Sequence, residues 1–309
     1  MNKELPIKLK LPEGFLEPEE RCGYQVTTKL KKIWAVELDL LDQFQKVCAK
    51  HNIKYQVFAG TLLGAVRHKG FIPWDDDLDV CLSRPEFDKL LKVAETEFTH
   101  PYFLQTASND RDYFFPYARL RNSLTTGVIT GCETPSYNNG IYMDVYVLEG
   151  YPASLGIYRC QLFFKRILVK FLTLYYRKKP RSRRLVELIM HSFRPVARMF
   201  KYSTLLRMHR WVSSWFVNSA ERIFEAAHLD WSGWKYWLYK KEYSESIIVP
   251  YEMLQVPIPK DYHNVLSRIY GDYMEFPDPK LRGAWHESQI HFEPEIPYKE
   301  YLIQNHDSK

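Results

Sequence analysis

The sequence predicts an α/β (α+β) fold: a mixed-sheet core with flanking helices and an inserted basic helical region. Three observations point there. Helical apolar spacing alternates with short β-rich runs over residues 29–98. Short alternating segments follow over 102–147, and residues 155–228 then turn helical, basic and aromatic. The expected division is a core over 1–150, an insert over 151–246 and a C-terminal segment over 247–309 that returns to the core.

The elements follow in order. Residues 1–28 are rich in Pro and charge and read as irregular. Leu30, Ile33, Trp34, Leu38, Leu41, Phe44 and Cys48 recur at spacings of three and four, so 29–51 reads as an amphipathic helix. Residues 55–59 are β-rich and end at Gly60, which marks a strand. A Gly-Thr turn then opens a short helix over 61–68. Residues 78–82 form a second short apolar strand, and 84–98 a helix with Phe87, Leu90, Leu91 and Ala94 on one face. Strands are expected at 102–105, 115–121, 127–130 and 141–147, broken by Asn, Gly and Pro. A Pro-rich stretch at 249–259 leads into a short helix at 261–270, and the tail from Phe276 reads as loop.

Composition excludes several classes. With 309 residues, 46% hydrophobic and 26% charged, the chain can bury a core without disulfide staples. Its five cysteines are scattered and form no CxxC pair, so neither a disulfide framework nor a zinc ribbon is expected. Uncharged runs reach about a dozen residues, as at 55–66, whereas a membrane-spanning helix needs roughly 20. The first residues lack the apolar segment of a signal peptide, so a cytoplasmic protein is expected. The net charge of +6 hides an asymmetry: residues 151–222 hold 16 Lys/Arg against 2 Asp/Glu, and the remainder holds 27 against 35. An acidic remainder argues against a nucleic-acid binder, so no nucleic-acid partner is expected.

The most informative stretch ends in Trp74, Asp75, Asp76, Asp77, Leu78, Asp79 and Val80. Side chains alternate across a strand, so Asp77 and Asp79 share a face while Leu78 and Val80 turn to the other. Two carboxylates on one face repel unless a cation lies between them, and hard oxygen ligands suit Mg²⁺ or Mn²⁺. Asp144 is a lone acid within the apolar run Tyr142, Met143, Val145 and Tyr146, where an unpartnered carboxylate is costly. An acidic run alone also reads as a solvated turn or a helix cap. The strand context of Asp79 and the matching strand around Asp144 weigh against that. Asp75 and Asp76 support either the loop or the ligands.

These residues resemble a known pattern. The string from Gly60, Thr61, Leu62, Leu63 and Gly64 to Arg67, then from Phe71, Ile72, Pro73 and Trp74 to Val80, closely resembles the LicD family, to which fukutin-like proteins are related. Val256 to Lys260, Ile269 to Met274, Pro277 and His286 also resemble it. The resemblance covers about 30–150 and 247–290. It implies a nucleotidyltransferase-like core and a phosphotransferase that moves phosphocholine from CDP-choline to a sugar of lipopolysaccharide or teichoic acid, releasing CMP. Carried over residue by residue, Asp77 and Asp79 bind the metal, Asp144 is the third carboxylate, and Gly60 and Thr61 form the turn that holds the donor phosphates. Fukutin-like relatives imply another CDP-activated group, ribitol phosphate, as the alternative cargo.

Further candidates follow from side-chain chemistry. Arg67, Arg119 and Arg121 offer forked contacts to phosphate, and the last two share a strand face. His286 lies in the family-like C-terminal string. Quaternary ammonium groups sit on aromatic faces, which makes Trp74, beside the acids, a candidate for choline. The insert is basic, aromatic and amphipathic, as at a membrane interface. It is expected to dock a lipid-linked glycan or teichoic acid precursor at an anionic membrane surface, with the protein peripheral at the inner face of the plasma membrane. A non-catalytic membrane-binding scaffold is the alternative from another class. Such a scaffold has no need of Asp77, Asp79 and Asp144.

Overall fold

The computed structural model describes residues 4–110, 113, 115, 117–129, 138–152, 154–176, 185–216, 222–225, 237–282 and 290–306. A hairpin of β1 (Glu19–Arg21) and β2 (Tyr24–Val26) precedes α1 (Thr28–Lys50). Thr27 caps α1, its Oγ1 accepting from the Leu30 amide at 3.2 Å. The expected amphipathic helix is more deeply placed than its pattern suggests. Every residue over 33–41 is buried, Glu37 and Asp39 included. Its bulk excludes water from one face of the sheet.

β3 (Gln56–Val57), α2 (Ala59–Arg67), β4 (Asp79–Ser83) and α3 (Arg84–Glu97) follow as expected, with β3 shorter than the pattern indicated. Gly64 lets α2 lie against the next loop, because a Cβ there would stand 2.4 Å from the Gly70 carbonyl oxygen. The run of short strands is β5 (Tyr102–Gln105), β6 (Ala118–Asn122), β7 (Thr126–Ile129) and β8 (Ile141–Tyr151).

The insert contributes α4 (Leu155–Tyr176), α5 (Leu185–Ser192), α6 (Arg194–Met199) and α7 (Tyr202–Ser213). Leu168, Leu172, Leu205 and Val212 join α4 and α7 in a small core of their own. Among the described residues no helix is long and apolar enough to cross a membrane. The helical expectation up to residue 228 is not met at its end. β9 (Arg222–Glu225) and β10 (Trp237–Tyr239) are strands. β9 pairs with the 148–151 half of β8, on the edge that β6 leaves open. An open sheet edge offers unpaired backbone groups, and that outweighs local helix propensity.

α8 (Lys240–Ser244), β11 (Ser246–Tyr251), β12 (Leu254–Pro259), α9 (Tyr262–Tyr270), β13 (Ile290–Glu293) and α10 (Tyr298–His306) complete the chain. The Pro-rich stretch is a two-stranded hairpin, an arrangement open to Pro because each strand has a free edge. This segment packs on the core: Gln56 Nε2 donates to the carbonyls of Glu242 and Tyr243 at 3.2 and 3.1 Å. β13 pairs with β7.

Among the described residues seven strands form the main sheet, with β10-β9-β8-β4-β3 as its path and β6 and β5 attached through β8. β8 runs parallel to β4 on one edge and antiparallel to β6 and β9 on the other. Leu78, Val80, Leu82, Met143, Val145 and Val147 are buried, with α1 behind part of the sheet.

His209 on α7 is buried, and its Nε2 has no hydrogen-bond partner among the described residues. Burial, then Lys165 and Arg84, push its imidazole down to about 3. An unfolded-chain His titrates at about 6.5, so the unfolded state binds the proton first. The stability this group contributes is complete above pH 6.5 and is lost as pH falls toward 3. His209→Leu should flatten the acid limb of a stability–pH profile followed by circular dichroism over that window. An unchanged slope would refute the assignment.

Candidate functional site

The site is built where β4 and β8 begin to run side by side. Their parallel register sets Asp79 opposite Asp144 and Val80 opposite Val145. On the other edge of β8, Arg119 of β6 stands opposite Asp144. Residues opposite one another share a face, so Asp79, Asp144 and Arg119 form one row across three strands. All three are buried.

Arg119 Nε donates to Asp144 Oδ1 at 2.7 Å, and the Tyr146 hydroxyl donates to Asp144 Oδ2 at 3.3 Å. The guanidinium lies 3.8 Å from the Tyr142 ring centroid and 4.6 Å from that of Phe115. Burial opposes its charge, but Asp144 and then Tyr117, Tyr142 and Tyr113 more than offset this and hold it well above its usual range.

α2 ends at the same place. Phe58 precedes it, and Ala59 opens it at φ 45°, a left-handed conformation that strains a residue with a Cβ. Phe58 N donates to Asp79 O at 3.0 Å, and Asp79 N donates to Thr61 Oγ1 at 2.8 Å. Thr61 therefore anchors the first residue of β4. Gly60 lies bare beneath Asp75, since a Cβ there would come within 3.0 Å of Asp75 Oδ2. Asp76 is buried, and Asp75 and Asp77 are half-buried. Trp34 Nε1 on α1 donates to the Asp75 carbonyl at 2.9 Å, fixing the loop from behind.

One acid in this group was not singled out in the sequence. Glu37 is 1% exposed, one helical turn beyond Trp34. Burial, then Asp77, Asp76, Asp75 and Asp79, hold its carboxyl well above the usual carboxylate range. Its signal is positional: Glu37 lies four residues after Ile33 and four before Leu41, within the apolar stripe.

Other expected residues lie apart from the acid row. Arg67 is at the far end of α2, about 10 Å along the axis from Gly60 at 1.5 Å per residue. It donates to His68 Nε2 at 2.9 Å and to the carbonyls of Tyr273 and Glu275 at 2.8 and 3.0 Å. Trp74 packs edge-on to Tyr24, His68 and Phe276, and the Arg282 guanidinium lies 4.8 Å from its ring centroid. Arg121 is fully buried and donates to Gln105 Oε1 and the Gly140 carbonyl, so these donors brace the sheet. His286 lies outside the described residues.

Residues 52–131 match the family described as "LicD/FKTN/FKRP, nucleotidyltransferase domain". The stretch that carries the Gly-Thr helix start, the acidic loop and β4 is thus similar to a nucleotidyltransferase domain. Over most of its length the chain is also similar to a transferase. It is 28% identical over 263 residues to the lipopolysaccharide cholinephosphotransferase LicD of Haemophilus influenzae, covering 83% of this chain and 96% of that protein. Two uncharacterised proteins match shorter stretches. One from Rickettsia prowazekii is 56% identical over 77 residues, covering 24% of this chain and 27% of that protein. One from Rickettsia typhi is 56% identical over 41 residues, 13% of each chain.

The buried pair of Asp144 and Arg119 should dominate local stability. Arg119→Met strands a buried carboxylate and should cost about 3–5 kcal/mol in urea unfolding. Adding Asp144→Leu should restore most of that loss. A single variant within about 1 kcal/mol of the wild type would show that the pair does not hold β6 to β8.

Proposed function

We propose that the chain transfers phosphocholine from CDP-choline to a sugar hydroxyl of a cell-surface glycan precursor, lipopolysaccharide or teichoic acid, and releases CMP. The observation that carries this reading is the register pair of Asp79 and Asp144 beside the start of α2. The lipopolysaccharide cholinephosphotransferase name of the Haemophilus influenzae relative supports choline phosphate as cargo.

The reading includes a divalent cation, Mg²⁺ or Mn²⁺, held by Asp77, Asp79 and Asp144. The residues fit such an ion: the donors are hard carboxylate oxygens, and the buried Glu37 Oε2 behind them has no hydrogen-bond partner among the described residues. Among the described residues no group of three or more acidic, His or Cys side chains is disposed to hold a metal ion, so this part of the reading rests on the chemistry of the donors alone. The ion supplies charge neutralisation for the donor diphosphate.

The chain's own groups do the rest. Gly60 allows close approach of phosphate to the backbone at the start of α2, and the amide groups there favour an anion. The acceptor hydroxyl oxygen bonds to the phosphorus that carries choline, and the bond from that phosphorus to the CMP oxygen breaks. Asp144 ligates or takes the hydroxyl proton, with Arg119 and Tyr146 fixing its orientation. Trp74 already faces a cation in Arg282, so its ring suits a quaternary ammonium. A ribitol phosphate donor is the second reading, favoured by the same acids and by the FKTN/FKRP branch named in the family description.

The insert docks the acceptor at an anionic inner membrane surface in this proposal. Phe163, Met199 and Trp211 are 59%, 82% and 63% exposed on α4, α6 and α7, among Arg159, Arg166, Arg198 and Arg207.

CMP release from CDP-choline should require Mg²⁺ and fall by a factor on the order of 10³ in Asp79→Asn. Absence of metal-dependent release, or full activity in the variant, would reject catalysis and leave the scaffold reading. In a separate assay the chain should float with vesicles containing phosphatidylglycerol. The double change Phe163→Ser, Trp211→Ser should reduce flotation without altering CMP release. Flotation indifferent to anionic lipid would remove the membrane assignment.

A further inference from the structure

We propose that Cys22 is a thiol-modification site, at which a small disulfide bearing carboxylates binds in a cationic cavity and leaves one half behind as a mixed disulfide. This site lies apart from the acid row and does not depend on the transferase reading.

A cavity of about 670 Å³ opens between the β1–β2 turn, the end of α2 and the β11–β12 turn. Arg21, Cys22, Arg67, His68, Lys69 and Glu252 line it. Arg21 and Glu252 cancel in charge, joined by two hydrogen bonds of 2.6 and 3.1 Å. Arg67 donates to His68 and to two backbone carbonyls, and neither it nor Lys69 pairs with a carboxylate among the described residues. The wall is therefore net positive and favours an anion. Arg282 brings a further guanidinium beside the turn, its Nη1 donating to the Cys22 carbonyl at 3.1 Å. Cys22, Lys69 and Glu252 all take left-handed backbone, at φ 53°, 57° and 50°, so strained positions gather on this one wall.

Cys22 is a free, exposed thiol, whereas Cys48 and Cys81 are buried. Its Sγ lies 3.7 Å from His68 Nδ1. A guanidinium only donates, so His68 Nε2, 2.9 Å from Arg67 Nε, accepts, and the ring proton is on Nδ1. Burial, then Arg67 and Arg21, push the His68 imidazole down to about 4, so the ring is neutral at pH 7. Nδ1–H therefore donates to Sγ, and that hydrogen bond strengthens as the sulfur gains negative charge. Cys22 and Gly23 form the two-residue turn of the β1–β2 hairpin, with Arg21 paired to Tyr24. Both have positive φ, 53° and 71°, and turns of this kind favour Asn or Gly where Cys22 stands. In the reaction the Cys22 sulfur bonds to one sulfur of the incoming disulfide and the S–S bond breaks. The other half leaves as a thiolate and takes up from water the proton that Cys22 released.

The test treats the full chain with oxidised glutathione, which is anionic, and with cystamine, which is cationic. Mixed-disulfide formation at each cysteine is followed over time by site-resolved mass spectrometry. Cys160 on α4, also free and exposed, is the reference. Cys22 should react with oxidised glutathione about 10-fold faster than Cys160 does. His68→Phe should slow Cys22 about 10-fold with both reagents, and His68→Asn, which restores an N–H donor, should recover most of that rate. Lys69→Met should lower the ratio of glutathione to cystamine rates at Cys22 about 3-fold. Equal rates at Cys22 and Cys160, a wild-type rate in His68→Phe, or a ratio unmoved by Lys69→Met each overturns the proposal. Where a His68 variant does not fold, the Cys160 comparison and the exposed Lys69→Met change decide the outcome.

Discussion

Asp144 lies between two side chains of opposite sign on neighbouring strands, Arg119 on one side and Asp79 on the other. That position exists only because β8 pairs with β4 and β6 at the same residue. A lone carboxylate at this depth would be expelled or neutralised, and the Arg119 guanidinium prevents both. Arg119 is in turn held by aromatic faces from β8 and the segment before β6, so the ion pair is also a packing element. Asp79 is fixed from the other direction, by Thr61 on α2. Strand register, helix start and acid row are thus one mechanical unit.

Arg119 serves Asp144, while Arg21 and Lys31 are paired farther out. The acidic loop is a patch of carboxylates partly withdrawn from water. Such a patch gains by taking a cation, and a cation there favours phosphate. The basic insert carries the opposite charge on helices with a separate small core, so docking and chemistry are assigned to different surfaces.

Much of this was legible from spacing. The apolar period of 29–51, the strand-turn-helix at Gly60 and the alternation around Asp79 and Asp144 each mark an element that the structure contains. The reading was less complete where long-range contacts decide. Arg119 and Arg121 share a strand face, but one meets Asp144 and the other meets Gln105 and Gly140. Periodicity sets the face and says nothing of what stands opposite. Residues 222–225 pair as a strand because β8 presents an open edge, which no local pattern encodes.

By itself the sequence determined that Asp79 and Asp144 lie on strands, while Asp77 precedes β4, and which stripe of α1 is apolar, because those follow from local backbone geometry. Only the tertiary structure decided that Asp79 stands opposite Asp144, that Arg119 neutralises Asp144, and that Glu37 is buried on α1. Charge pairing depends on distance in space, and residues 79, 119 and 144 become neighbours only when the sheet has formed.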